Sequence, residues 1–218
     1  DLAEGANLTR IIVHNDPDNA TRISTASITA AKAAKFEQYV LSFGGALSRL
    51  ETRLDGQGEG IEAHMNGAYL LSGDKHTDMT SHTKLTHPNC NIRQSVKGVV
   101  TDKARGVFQG KFHVRRPAQH TDAEMRHDAL MLSERAQIRS KPELEIYADD
   151  VACSHGSTSG AIDDDALFYL QSRGVPHAIA QDLLVLSFIA EAVQEIESEA
   201  LQEEILTRAE GWLTRHRG

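Results

Sequence analysis

Glu143-Leu144-Glu145-Ile146-Tyr147-Ala148-Asp149-Asp150-Val151-Ala152-Cys153-Ser154-His155-Gly156-Ser157-Thr158-Ser159-Gly160 divides the chain into two kinds of sequence. Leu144, Ile146 and Ala148 alternate with Glu143, Glu145 and Tyr147, the period-2 pattern of a strand with one buried face. Asp149-Asp150 interrupts that pattern as a turn does. A second short strand follows, with Val151, Cys153 and His155 on one face and Ala152 and Ser154 on the other. Gly156 is read as the point where this strand ends, and with Gly160 it brackets a run of small hydroxyl residues. Strand-like segments precede the stretch, and helical ones follow it.

The strand-like segments are Leu8–Val13, Arg22–Ala30, Phe36–Phe43, Leu47–Leu54, Gly60–Leu71, Asp78–Leu85, Ile92–Val100, Gly106–Val114 and Leu144–Val151. Each is cut off by glycine or polar residues. The apolar phase slips once within Leu47–Leu54, as at a bend or bulge. No long helical pattern separates the segments, so βαβ units are not expected. Regular short strands without Asn-Gly hairpin turns fit a solenoid better than a meander, with about two dozen residues per coil. On pattern alone, a sandwich and a solenoid both remain open. Ser133–Lys141 is polar with few apolar anchors and reads as a loop or edge. Asp122, Glu124, Arg126, His127 and Asp128 read as an exposed connection.

Composition narrows the function classes. The 218 residues suggest one domain with a short appendage. Lys and Arg number 23 against 31 Asp and Glu, a net charge of −8 that argues against nucleic acid as a partner. Hydrophobic residues make up 40% but aromatics only 5%, so the core must rest on Leu, Ile, Val and Ala. Two cysteines are no disulfide framework and fit a reducing compartment, so a cytoplasmic location is expected. No signal peptide opens the chain. Its longest apolar run, Leu183 to Ala190, is far shorter than a membrane span.

The tail carries helix punctuation. Asp163-Asp164-Asp165 supplies an N-cap and acids for the positive end of a helix. Arg173-Gly174 closes that helix, and Pro176 opens the next. From Ile179 to Ile196 the second helix is apolar over too much of its circumference for one solvated face. Leu201, Ile205, Leu206, Ala209, Trp212 and Leu213 form one stripe on a last helix. Two such helices can cover each other and leave an apolar surface free, either to dock on the end of the strand region or to hold a partner.

Cys153 and His155 share a strand face two residues apart. Thiolate and imidazole both ligate iron and zinc, but two ligands do not close a site. On spacing alone a buried Cys beside a hydrogen-bonded His is the better reading. His76, Asp78 and His82 also share a face. Asp78 and His82 stand ~13 Å apart along a strand, too far for one ion, and a solvated face is the better reading. Cys90, in a Pro-Asn turn, reads as structural. Arg93, Lys97, Lys103, Arg105, Lys111, Arg115 and Arg116 form a basic stretch whose default reading is a solvated face. No P-loop and no Gly-x-Ser-x-Gly elbow is present.

The central stretch resembles the signature of the SufB/SufD scaffold family of the Suf iron–sulfur cluster assembly system. The similarity runs from Lys141-Pro142-Glu143-Leu144 through Cys153-Ser154-His155-Gly156 to Leu167-Phe168-Tyr169-Leu170-Gln171-Ser172-Arg173-Gly174. Further similar blocks are Asn89–Gln94, Asp102–Gly110 and Thr121-Asp122-Ala123, and the His-Gly pair sides with the SufD branch. The resemblance implies an all-β right-handed parallel β-helix over residues 1–161, followed by a C-terminal α-helical subdomain over 162–218. It also implies that the chain lacks an N-terminal region carried by family members.

Its functional implications are those of a scaffold rather than an enzyme. A SufB-like paralogue would pair through the β-helix, and a SufC-type ABC ATPase would dock on the C-terminal helices, with Phe168, Leu184, Phe188 and Ile189 as contact residues. A transient iron–sulfur cluster or iron would be handled in the assembled complex, with no cofactor expected on this chain alone. The resemblance carries the ligand role to His155, and less clearly to Cys153. A carbohydrate-active β-helix lyase or a purely structural solenoid are the competing readings. The first calls for a groove with clustered acids or bases, and the second leaves the apolar tail unexplained.

Overall fold

The computed structural model describes residues 1–194, 196 and 198–216. Among them are eleven strands, β1 (Asn7–His14), β2 (Thr21–Ala30), β3 (Lys35–Ser42), β4 (Leu47–Gly56), β5 (Glu62–Leu71), β6 (His76–Leu85), β7 (Asn91–Val100), β8 (Arg105–Val114), β9 (Asp122–Met131), β10 (Gln137–Ile146) and β11 (Ala152–Gly160). Three helices follow: α1 (Asp164–Ser172), α2 (His177–Ala190) and α3 (Glu199–Arg215). The odd strands form a six-stranded sheet in the order β1-β3-β5-β7-β9-β11, and the even strands a five-stranded sheet in the order β10-β8-β6-β4-β2. Every pairing is parallel. The chain therefore passes from one sheet to the other and back in each coil, which is a parallel β-solenoid.

The coil is longer than two dozen residues. Asn7 pairs with Lys35, Thr21 with Leu47, and Arg105 with Gln137, so one turn takes 28, 26 and 32 residues at these places. A stacked turn sets the spacing. Gly5, Ala33, Gly60, Asn89 and His120 each stand two residues before an odd strand with positive φ. Their backbone N–H groups donate to Lys32, Glu59, Pro88, Gln119 and Asp150 in the next coil, at 2.6–3.0 Å. Successive corners are thereby stitched together as tightly as the strands.

Two segments read as loop or connection are strands. β9 covers Asp122–Asp128, with Met125 and His127 fully buried, and β10 includes Ser133–Lys141 from Gln137 onward. Their inward rows include polar or small side chains, His127 and two alanines in β9 and Ser140 in β10, which makes the alternation weak. The phase slip in β4 is not a bulge either. The strand runs evenly, with Ser48, Leu50, Thr52 and Leu54 all inward. Ser48 is hydrogen-bonded to His14 at 3.2 Å and Thr52 to Gln38 at 3.1 Å, so these hydroxyls are satisfied inside.

The interior is filled closely, and glycine makes some of the room. The Tyr69 ring occupies the space above Gly98 and Gly106, where an added Cβ would come within 2.2 and 2.4 Å of it. Phe36, Phe108, Phe112, Met65, Met125 and Ile92 complete the core.

The helices do not cap the solenoid's end. α2 and α3 lie on the outer face of the six-stranded sheet, where Val185, Ile189, Ile205, Ala209 and Trp212 pack on Tyr39, Leu41, Phe43, Leu70 and Val99. This is why β3 and β5 are buried on both faces in their C-terminal halves, while β4 and β8 alternate throughout. Asp163 accepts from the backbone N–H groups of Asp165 and Ala166, capping α1. Gly174, at φ +87°, ends it, with Val175 N–H returning to the Leu170 carbonyl. α2 stops at Ala190 rather than reaching Ile196, and residues 195 and 197 lie outside those described. Among the described residues no helix is long and apolar enough to cross a membrane.

Candidate functional site

The last coil is bare on one side. β10 pairs only with β8, and β11 only with β9, so both present an unpaired edge. Their inward rows lie at the mouth of the solenoid instead of under another rung. β10 contributes Ile138, Ser140, Pro142 and Leu144, and β11 contributes Cys153, His155 and Ser157. The rung beneath forms the floor: Ala123 lies under Cys153, Met125 under His155, and His127 under Ser157.

Cys153 and His155 differ in setting. The Cys153 thiol is half-buried against the apolar interior, and burial, with the Asp122 charge adding to it, holds its pKa above the ordinary thiol value. His155 is exposed, and no hydrogen bond or ion pair engages its imidazole among the described residues. It does not stand at a strand end, because β11 continues through Gly156 to Gly160. Exposure comes from the missing rung above it. The two side chains stand ~7 Å apart along one strand, donors on one face with open space beyond them. Among the described residues no group of three or more His, Cys, Asp or Glu is placed to hold a metal ion, so a metal bound at this pair would need donors from elsewhere.

Below the mouth, His127 is sealed in. Its Nε2 is hydrogen-bonded to the Tyr69 hydroxyl at 2.9 Å and its Nδ1 to the Ser140 hydroxyl at 3.1 Å, and its ring stacks on Phe108 at 4.8 Å. Sequence reading placed His127 in an exposed connection and missed it. Its position two residues from Met125 in a period-2 row is the signal that was available.

The remaining candidates are dispersed. His76, Asp78 and His82 do share the outer face of β6, but Asp78 is tied to Arg49 at 2.8 Å and accepts from Thr80 at 2.7 Å. Cys90 is buried in its turn, with its thiol directed to the His87 carbonyl at 3.4 Å. The basic stretch is broken up: Arg93 pairs with Asp122, Lys111 with Glu145, and Lys97 is buried.

On the helices, Phe168 is 71% exposed. Leu184 and Phe188 are half-buried, the Phe188 ring lying 4.6 Å from the Lys97 ammonium. Ile189 is 0% exposed and packs against the sheet, so it has no surface to offer a partner. Tyr169, Leu183 and Ile179 are exposed apolar residues on the same two helices. They were passed over because amphipathic spacing does not say which face the sheet takes.

Residues 1–188 match the family described as SUF system FeS cluster assembly, SufBD core domain. The chain belongs to the SufBD core family. It is similar to the iron–sulfur cluster assembly protein SufD of Escherichia coli, 36% identical over 181 residues, which is 83% of this chain and 43% of that protein. A SufBD family iron–sulfur cluster assembly protein of Synechocystis is 34% identical over 92% of this chain and 44% of its own length. A Mycobacterium tuberculosis SufBD family protein is 28% identical over 95% of this chain and 54% of its own length. The chain thus spans about half the length of these relatives. The SufBD match covers the whole solenoid, the mouth with Cys153 and His155, α1 and most of α2.

Proposed function

We propose that this chain is the core of a SufD-type scaffold in iron–sulfur cluster assembly, without turnover of its own. The observation that carries the proposal is the uncapped last coil, which leaves His155 exposed and unengaged on an unpaired strand. A second solenoid from a SufB-like paralogue would extend the edges of β10 and β11, satisfying their free backbone groups. Its side chains would supply the donors that Cys153 and His155 lack. Iron and sulfide are then the material handled between the two subunits. The imidazole of His155 offers a nitrogen lone pair of the kind that ligates iron.

A SufC-type ABC ATPase would dock on the exposed apolar residues of α1 and α2. ATP-driven approach of two ATPase subunits would pull on the helices and open the paired mouths. Two free thiols fit work in a reducing compartment such as the cytoplasm.

The test is reconstitution with a SufB-like protein and a SufC-type ATPase, reading cluster absorbance, partner capture and melting temperature on one preparation. His155→Ala should keep partner capture and melting temperature and lose most of the cluster, whereas Cys153→Ser should lose less. Normal cluster yield in a stable His155→Ala complex rejects the ligand role.

A further inference from the structure

A row of side chains on the outer face of the six-stranded sheet joins the helices to the strand that carries His155. Lys97 on β7, Asp128 on β9 and Thr158 on β11 are in register with one another. Lys97 Nζ donates to Asp128 at 3.1 Å, and the Thr158 hydroxyl donates to the other Asp128 oxygen at 2.6 Å. Arg126 Nε donates to Asp128 at 2.7 Å. On its other side, Lys97 donates at 2.7 Å to Glu191, the residue that ends α2, and lies under the ring of Phe188. Lys97 is 6% exposed and Asp128 4%.

We propose that Lys97 and Asp128 are positioning residues that transmit displacement of α2 to β11, and so to His155. The inference rests on the scaffold reading for its purpose, but its physical content is a coupling within this chain. Two cations and two anions make the group neutral. Glu191 is half exposed, at 58% of its side chain, and Phe188 is the lid over the ammonium. Moving the end of α2 outward removes one anion and the ring together and admits water to Lys97. The Lys97–Asp128 attraction weakens as the surrounding dielectric rises. Water that reaches Lys97 also reaches Asp128 beside it and competes with the Thr158 hydroxyl for the carboxylate, so that hydrogen bond loosens. Thr158 is three residues from His155 on an edge strand that has a backbone partner on one side only.

Amide hydrogen exchange on the full chain alone, with no partner and no cluster, tests this coupling. Glu191→Gln removes the surface anion without touching the core. It should speed exchange over residues 153–160 by at least ~2-fold, within the range such couplings span, while β3 and β5 stay unchanged. In a Thr158→Val background the same Glu191→Gln change should have no further effect on β11, because the last link is already gone. If Glu191→Gln loosens only the end of α2, or if its effect on β11 is the same with and without Thr158, the pair is a staple and the coupling is rejected. Lys97→Met serves as a second route: where it folds, it should raise exchange in both α2 and β11, and an effect confined to α2 also rejects the proposal. Since no partner is present, a coupled chain that fails in reconstitution refutes the scaffold reading alone, and an uncoupled chain that builds clusters refutes this inference alone.

Discussion

The hydroxyl of Tyr69 and Nε2 of His127 stand 2.9 Å apart inside the solenoid, although 58 residues separate them in the chain. With Ser140 on its other nitrogen, the imidazole is held neutral in the rung below the open mouth.

That burial has a pH signature. It pushes the His127 pKa down to about 4, against a smaller upward pull from Asp128. In the unfolded chain the value is ~6.5. Between these values the unfolded chain binds a proton that the folded chain refuses. The stabilisation is therefore complete above pH ~6.5 and is lost as pH falls toward 4, by ~3 kcal/mol at most. Urea midpoints should fall across this window in the parent chain. His127→Gln should be less stable at pH 7 but lose much less between pH 6.5 and 4.5. Parallel slopes for the two proteins would contradict the assignment.

Gly98 is where the Tyr69 ring needs space. A methyl group there would lie 2.2 Å from the Tyr69 ring. Gly98→Ala should therefore cost ~1–3 kcal/mol through overpacking. Gly156→Ala is the control, because its added Cβ meets nothing within 4 Å. Its melting temperature should stay near that of the parent, and equal losses in the two variants would mean that contact with Tyr69 is not the cause.

Exposure separates the proposed docking residues from core residues on the helices. Phe168→Asp places a charge on a side chain that is 71% exposed, so the circular dichroism spectrum and melting temperature should be unchanged while ATPase capture weakens. Ile189→Asp buries an unpaired carboxylate against Leu41 and Val99 and should cost several kcal/mol, loosening α2 and α3 together. Full ATPase affinity in a folded Phe168→Asp protein would remove α1 from the docking surface.

α1 depends on its cap. Asp163 accepts from Asp165 and Ala166 at 2.9 and 3.0 Å, and none of the helix's residues is buried. With little packing to hold it, Asp163→Ala should cost ~1 kcal/mol locally and speed amide exchange over residues 164–172. Unchanged exchange there would show that packing, not the cap, holds the helix.

Sequence alone determined the strand-rich body, the helical tail, the cap at Asp163, the end of α1 at Gly174 and the family signature around His155. These are local signals: alternation, capping chemistry and a contiguous motif, all of which act between residues close in the chain. It also predicted the stripe Leu201, Ile205, Leu206, Ala209, Trp212 and Leu213, of which Ile205, Ala209, Trp212 and Leu213 are buried and Leu201 is exposed, since one face of a helix is set by its own period. The tertiary structure decided what depends on pairing between coils. Ser48 and Thr52 look like surface residues until His14 and Gln38 meet them inside the solenoid. β9 looks like a polar connection because His127 and Asp128, one inward and one outward, are both buried by partners 13 to 58 residues away. Ala33 and His120 hide the corner repeat, because the left-handed turn they adopt is written as glycine only at Gly5 and Gly60. Which helix face was free was equally undetermined, since α2 is apolar nearly all round and only the curvature and coverage of the sheet assign Ile189 inward and Leu183 outward. A buried polar group is stable when its partner arrives, and that partner comes from another coil, so hydropathy along one strand cannot report it.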